Sequence, residues 1–355
     1  MKNFKKGSKK LTNAWAFYDW ANSVYPLVIS TAVFPIYYSS ITSSFANSNG
    51  DISFLGVMWN PTALYDYTLS LSFLIVAFCS PLLSAVADYT GNKLKFMKFF
   101  CLLGSVSVMC LFFFKGPETL WVALTFTILA SIGFWGSIVF YNAYLPEIAY
   151  DNQQDEVSAK GFIYGYAGSV LLLIFSLVMV QKPDWFGISD PSLAPRITFL
   201  LVGVWWFGFA QITYRRLPND IYNRKPEKDY IWKGLRELKL VLNELKNLPQ
   251  LKYFLVSFFL FSVGVQTIVL MAGIFGSKEL GLPTTNLILT IILVQIVAMI
   301  GAYLFSKLSK KVEITENSID KINTSILNIT KPDQSEEVLL LNKKSPLMRA
   351  FINFL

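Results

Sequence analysis

Between Ile197 and Arg216 the chain reads ITFLLVGVWWFGFAQITYRR. No charged side chain interrupts residues 197–214, and two arginines follow at once. An α-helix rises ~1.5 Å per residue, so a run of this length nearly spans the ~30 Å hydrocarbon core of a bilayer. Arginines at one end mark that end as cytoplasmic. Seven other stretches share this character, at residues 20–38, 67–87, 97–114, 121–145, 162–181, 253–275 and 287–305. The chain therefore reads as an all-α polytopic membrane protein. Its composition agrees: only 15% of the 355 residues are charged and 16% are aromatic, whereas a soluble domain carries about a quarter charged residues.

The sidedness of charge gives an independent topology. With the N-terminus in the cytoplasm, Lys2, Lys5, Lys6, Lys9 and Lys10 lie inside, as do Lys93, Lys95, Lys98 and Lys160. The basic segment 215–252 and Lys307, Lys310 and Lys311 fall on the same side, while the outer loops hold only Lys115, Lys182, Arg196 and Lys278. This is the asymmetry of the positive-inside rule. The net charge of +8 is thus an orientation signal beside membrane spans, and no nucleic-acid partner is expected. Abundant Lys and Asn suggest an AT-rich bacterial genome, hence a bacterial cytoplasmic membrane.

Several function classes fall away. The first apolar stretch contains Asp19 and Asn22 and has no small-residue cleavage site, so it is not a removable signal peptide. There is no His, which excludes His-based triads and His metal sites. Cys79, Cys101 and Cys110 fall inside spans, without a CxxC motif, and read as packing residues. No paired carboxylates, nucleophile–base set or charge-lined span indicates an enzyme or a channel.

The chain divides into residues 1–214 with six spans, a basic connector 215–252, two spans in 253–306, and a polar tail 307–355. Within the connector, Ile231, Leu235, Leu238, Leu242 and Leu245 recur at helical spacing between Pro226 and Pro249. Such a helix lies flat on the cytoplasmic leaflet or serves as a solvated linker; either makes a hinge between two halves. A weak repeat supports the halves: Phe17, Trp20 and Phe34 align with Phe258, Phe261 and Phe275. The tail has no span-length apolar run, which suggests truncation or a frame shift beyond Lys311, the alternative being a disordered native tail.

Polar groups at membrane depth are costly and mark interior faces. In the first span Asp19, Asn22, Ser23, Pro26 and Ser30 form one stripe, directed at a cavity or serving as interhelical glue. Asn22, Ser23 and Tyr25 are candidate substrate contacts. Asp19, at the cytoplasmic edge, either couples protons or is simply hydrated. The fourth span ends Phe140-Tyr141-Asn142-Ala143-Tyr144-Leu145-Pro146-Glu147. Tyr141 and Asn142 are cavity candidates, Tyr144 reads as an interfacial aromatic, and Pro146 is expected to force the chain out of the helix. Glu147 is a second proton-coupling candidate or a loop carboxylate. Gly161, Gly165 and Gly168 form a small-residue packing face. Gln266, Thr267 and Gln295 could meet a polar substrate or one another. Between the second and third spans, Asp88, Gly91 and Lys93 read as a charged turn that can hold helices together in one state and release them in another.

These motifs together resemble the major facilitator superfamily. Asp88-x-x-Gly91-x-Lys93 is similar to its cytoplasmic loop signature, with Ser84 where the first Gly usually stands. More specifically, the run from Ala14 to Ser23, that from Val139 to Glu147, and Ser158-Ala159-Lys160-Gly161-Phe162 resemble the vacuole-effluxer-like branch, named for fungal vacuolar amino-acid effluxers linked to autophagy. The resemblance covers roughly residues 13–311. It implies a fold of two six-helix halves, here the N-terminal half plus the first two helices of the second. It also implies alternating access, export of amino acids or similar small solutes, no bound cofactor, and an Asp88 that helps lock the cytoplasmic gate. The chain leaves the family pattern after Lys311, so a truncated, non-transporting membrane protein or scaffold is the alternative.

Overall fold

The computed structural model describes residues 5–90, 93–218, 249–278, 280–283, 286–287, 289–304 and 306–308, with isolated positions 239 and 243. The side chains of residues 84–90, Gly91, the connector's Ile231–Leu245 stripe and everything beyond Leu308 lie outside the described residues. Among the described residues, 8 helices are long and apolar enough to cross a membrane. They are Lys9–Ser44, Pro61–Thr90, Lys93–Cys110, Leu120–Ile148, Asp151–Gln181, Leu193–Tyr214, Pro249–Lys278 and Leu289–Leu308, the first to eighth spans.

The first span is three pieces on one path: an α-helix Lys9–Asn22, a π-helical stretch Tyr25–Val33, and an α-helix Phe34–Ser44. Proline explains the break. Pro26 lacks an N–H for the Asn22 carbonyl, and Pro35 opens the last piece. The ladder responds by widening, as π-helical turns do, and Thr31 Oγ1 donates to the Pro26 carbonyl at 2.8 Å.

Helix pairing follows residue size. A Cβ built on Gly133 of the fourth span would collide with the backbone of Gly104 in the third, and one on Gly136 with the Phe100 ring. Two backbones therefore touch, the contact that small residues permit in membranes. Trp206 of the sixth span, fully buried, fills the space over Gly104. Around it Tyr25, Phe134 and Trp206 form one ring cluster, with centroids 5.2–6.1 Å apart. The core lies among the first six spans. The seventh touches the π-helical stretch of the first, and Ile291 and Ile292 of the eighth pack against the core. Over residues 251–268 and 289–308 no described residue is fully buried.

Three expectations about local structure change. The first helix begins at Lys9 and the fifth at Asp151, about a dozen residues before their apolar runs, because polar helix formers extend both beyond the hydrocarbon. Pro146 does not end the fourth helix, which continues to Ile148; proline removes one bond to Asn142, and only half a turn follows it. Tyr144 packs inside the protein: it is buried, and its hydroxyl donates to the Pro218 carbonyl at 2.8 Å. Between the first two spans stands an antiparallel hairpin, Ile52–Phe54 with Val57–Trp59. Its two-residue turn, Leu55 and Gly56, has φ of 54° and 78°, the mirror-image geometry that matches strand twist.

Candidate substrate and coupling site

The polar stripe of the first span meets the fourth and fifth spans. Trp15 and Asp19 lie one turn apart on the same helix face, and both engage Tyr141. The Tyr141 hydroxyl donates to Asp19 Oδ2 at 2.7 Å. The Trp15 indole N–H donates to the Tyr141 carbonyl at 2.8 Å, and the two rings stack at 4.1 Å with 7° between planes. Tyr18 adds a tilted ring 5.2 Å from Tyr141. Tyr141 is thus held at backbone, ring and hydroxyl.

The fifth span closes this group from the side. A Cβ on Gly161 would collide with Asp19 Oδ2 and stand 3.0 Å from the Tyr141 hydroxyl. One on Gly165 would collide with Ser23 Oγ, and one on Gly168 would lie 2.9 Å from the Trp20 carbonyl. The glycine face packs as its spacing suggests, and what it packs on is the polar stripe itself. The sixth span completes the wall: Trp205 Nε1 donates to the Trp20 carbonyl at 3.0 Å, and Thr213 Oγ1 to the Ala14 carbonyl at 2.8 Å.

Asn22 is 1% exposed. Its Oδ1 takes a long 3.4 Å bond from Ser23 Oγ, and its Nδ2 has no partner among the described residues. An enclosed amide donor left unpaired costs about 1–3 kcal/mol. Asn142 follows Tyr141 and is half-buried. Tyr25 sits deeper, between the Phe134 and Trp206 rings. Asp19, Ser23 and Tyr141 are therefore brought together around the fifth-span glycines, with Asn22 bonded to Ser23 and Tyr25 farther along the first span. The glutamines are apart from them: Gln266 is exposed, and Gln295 is half-buried with Oε1 enclosed and unpaired among the described residues.

The second acidic candidate has other neighbours. Glu147 is in the last turn of the fourth helix and forms a 2.6 Å salt bridge with Lys93 Nζ, which also donates to the Ala143 carbonyl at 3.3 Å. The lysine of the charged turn therefore meets the fourth helix; Gly91 and the Asp88 side chain lie outside the described residues. The end of the same helix has orphan carbonyls, and the chain's N-terminal arm fills two of them. Lys6 Nζ donates to the Pro146 carbonyl and Gly7 N–H to that of Ile148, both at 2.7 Å. Gly7 has φ of 75° and lies against the Tyr150 ring.

Sequence reasoning passed over Trp15 and the N-terminal arm. Trp15 had a signal, its i, i+4 spacing to Asp19; Lys6 and Gly7 had none, because their partners are about 140 residues away.

A family model described as "Vacuole effluxer Atg22 like" matches residues 7–329. A Bacillus subtilis protein described as an uncharacterized MFS-type transporter, YxiO, is 32% identical over 313 residues, which cover 88% of this chain and 69% of the relative. Autophagy-related protein 22-2 of Aspergillus fumigatus is 24% identical over 349 residues, covering 75% of this chain and 56% of the relative. Autophagy-related protein 22-1 of Aspergillus clavatus is 24% identical over 345 residues, covering 75% and 55%. The chain spans little more than half the length of these fungal relatives.

Proposed function

The chain belongs to the vacuole effluxer Atg22-like family, a group of membrane proteins with major facilitator-type relatives, and from that premise we propose that it moves a small polar solute across a membrane by alternating access. The solute class is amino acids or close analogues, the direction is export, and the N-terminus is cytoplasmic, in a bacterial cytoplasmic membrane. The two halves are residues 1–214 and the spans after the connector. The substrate contacts are Asn22, Ser23, Tyr25, Tyr141 and Asn142, with Gln266 and Gln295 supplied by the second half. Asp19 and Glu147 are the two acidic groups that the sequence offers as coupling candidates, and Asp19 is the one proposed for that role.

The observation that carries this reading is the Asn22 amide, 1% exposed inside a membrane helix with Nδ2 unpartnered among the described residues. Polar groups at such depth persist where they meet a substrate or a water-filled path. Its neighbour Ser23 offers a hydroxyl, and an amide beside a hydroxyl suits a small polar solute. The relatives support the class: one is described as an MFS-type transporter.

The test is flux of a radiolabelled amino-acid mixture in proteoliposomes containing the purified full chain. Substrate-dependent flux, lost in Asn22→Ala and Asn142→Ala variants that insert normally, supports the assignment. Unchanged flux in both variants removes these residues from the site. Absence of flux in the parent chain favours a non-transporting membrane protein or scaffold.

A further inference from the structure

We infer that Asp19 is a proton-carrying carboxyl, that Trp15 positions it through Tyr141, and that Glu147 carries no coupling proton. This rests on the transporter reading for its purpose, though the site itself is defined by geometry alone.

The two carboxylates differ in what faces them. Glu147 meets a lysine at 2.6 Å, both side chains being more than nine-tenths buried. A carboxylate with a cation at contact distance stays ionised, because protonation would leave the buried ammonium uncompensated. Among the described residues Asp19 forms no such ion pair. Facing it are the Tyr141 hydroxyl from the fourth span, Tyr166 and the Gly161 and Gly165 backbone from the fifth, and Ser23 on its own helix. The sixth span offers the neutral Trp205, Phe209 and Thr213 to the same helix. Lys160, adjacent to Gly161 in sequence, is turned to Asn13 Oδ1 at 2.6 Å and to the Tyr164 ring. An ionisable group in a membrane helix without a counter-ion is a site for a mobile cation.

The donor set selects which cation. Ca²⁺ and Mg²⁺ take six or more oxygen ligands. Here one carboxylate, one tyrosine hydroxyl and one serine hydroxyl are at hand, and the fifth-span backbone already lies against Asp19 Oδ2, where even a methyl group at Gly161 would collide. A proton needs one oxygen and no such room. Asp19 retains part of its surface exposed. The step is a simple exchange: one proton from the aqueous phase adds to the Asp19 carboxylate, giving the neutral acid, and the same proton leaves to water when the carboxylate reforms. No other bond changes. Tyr141 keeps its own proton and serves as hydrogen-bond donor to the ionised form.

Trp15 acts one residue further out. Its two contacts, the indole bond to the Tyr141 carbonyl and the parallel stack, set where the Tyr141 hydroxyl points. Replacement by Phe keeps a ring for stacking and removes the bond.

The experiment is infrared difference spectroscopy of the purified full chain in lipid, titrated over pH, reading the protonated-carboxyl C=O band. We expect a band with one midpoint that is lost in Asp19→Asn and retained in Glu147→Gln. Trp15→Phe and Tyr141→Phe should keep the band and move its midpoint by about one pH unit, the scale of a lost hydrogen bond to a carboxylate. Should Asp19→Asn not fold, Asp19→Glu takes its place and must move the midpoint. A band that survives Asp19→Asn, or disappears in Glu147→Gln, overturns the assignment. So does a midpoint that shifts when K⁺ is replaced by Na⁺ or Li⁺, which would make this a metal-cation site, or by added amino acid alone, which would make it a substrate ammonium site. Because the band is read without flux, failure of the transporter reading and failure of this one remain separate.

Discussion

Lys93 Nζ lies 2.6 Å from Glu147 Oε1, and the contact joins the first residue of the third helix to the last turn of the fourth. The side chains are 5% and 7% exposed. Two charges so enclosed are stable only as a pair, and removing one partner from a buried pair typically costs ~3–5 kcal/mol. Glu147→Gln and Lys93→Met should each lower the unfolding midpoint in mild detergent by an amount of that order. The double replacement Lys93→Met with Glu147→Met should recover much of it, because neither charge is then left alone. A double-mutant cycle on the unfolding free energy measures this; additive losses would mean that the contact contributes nothing as a pair.

The glycines of the fifth span make a sharper steric prediction. Gly165→Ala places a methyl group where Ser23 Oγ already is, and Gly161→Ala places one against the Asp19 carboxylate. Overpacking of this kind costs about 1–3 kcal/mol. Gly208→Ala in the sixth span meets nothing within 4 Å and should be neutral or slightly stabilising. Thermal melting of the three variants in detergent should separate them in that order. Equal behaviour of Gly165→Ala and Gly208→Ala would show that the first and fifth spans do not pack as described.

Much of this architecture was readable in advance, and the division is physical. Length and hydropathy located all eight spans because a bilayer imposes both. They misplaced the starts at Lys9 and Asp151, where helix continues into water and hydropathy carries no signal. Asp19 and Ser23 on one face of the first span were legible because period 3.6 needs no tertiary information. Partners on other helices were not: Tyr141 is 122 residues from Asp19, and Glu147 is 54 from Lys93. Sequence therefore left Asp19 and Glu147 as equal candidates. What separates them is the identity of a neighbour on another helix, which only packing reveals. Likewise, the Gly161 spacing predicted close approach without saying that a carboxylate lay beneath it.

The N-terminal arm should hold the end of the fourth helix. Lys6 and Gly7 supply donors to the Pro146 and Ile148 carbonyls, and a cation at a helix C-terminus also favours its dipole. Gly7→Val cannot adopt a φ of 75° without strain, and its side chain would meet the Tyr150 ring. In Gly7→Val and Lys6→Ala, amide hydrogen exchange over residues 146–154 should rise several-fold relative to the parent, with the centre of the fourth helix unchanged. Unaltered exchange in that segment would mean that the arm is not a cap.

The π-helical stretch is where the first span can bend. Pro26 withholds a hydrogen bond from the Asn22 carbonyl, and Thr31 Oγ1 takes up the Pro26 carbonyl. Wide turns of this type recur at functional positions because their ladder has more than one acceptable register. Pro26→Ala restores the missing donor and removes the ring clash, so it should straighten the span and stabilise it, by roughly 1 kcal/mol, through one regained hydrogen bond. If bending at Tyr25–Val33 accompanies the change of access, the same variant should transport more slowly while melting higher. Parent-like flux with a raised melting temperature would assign the wide turn to packing alone. Slower flux with a lowered melting temperature would show that Pro26 is needed to fit the helix against the Phe134 and Trp206 rings, which hold the adjacent Tyr25.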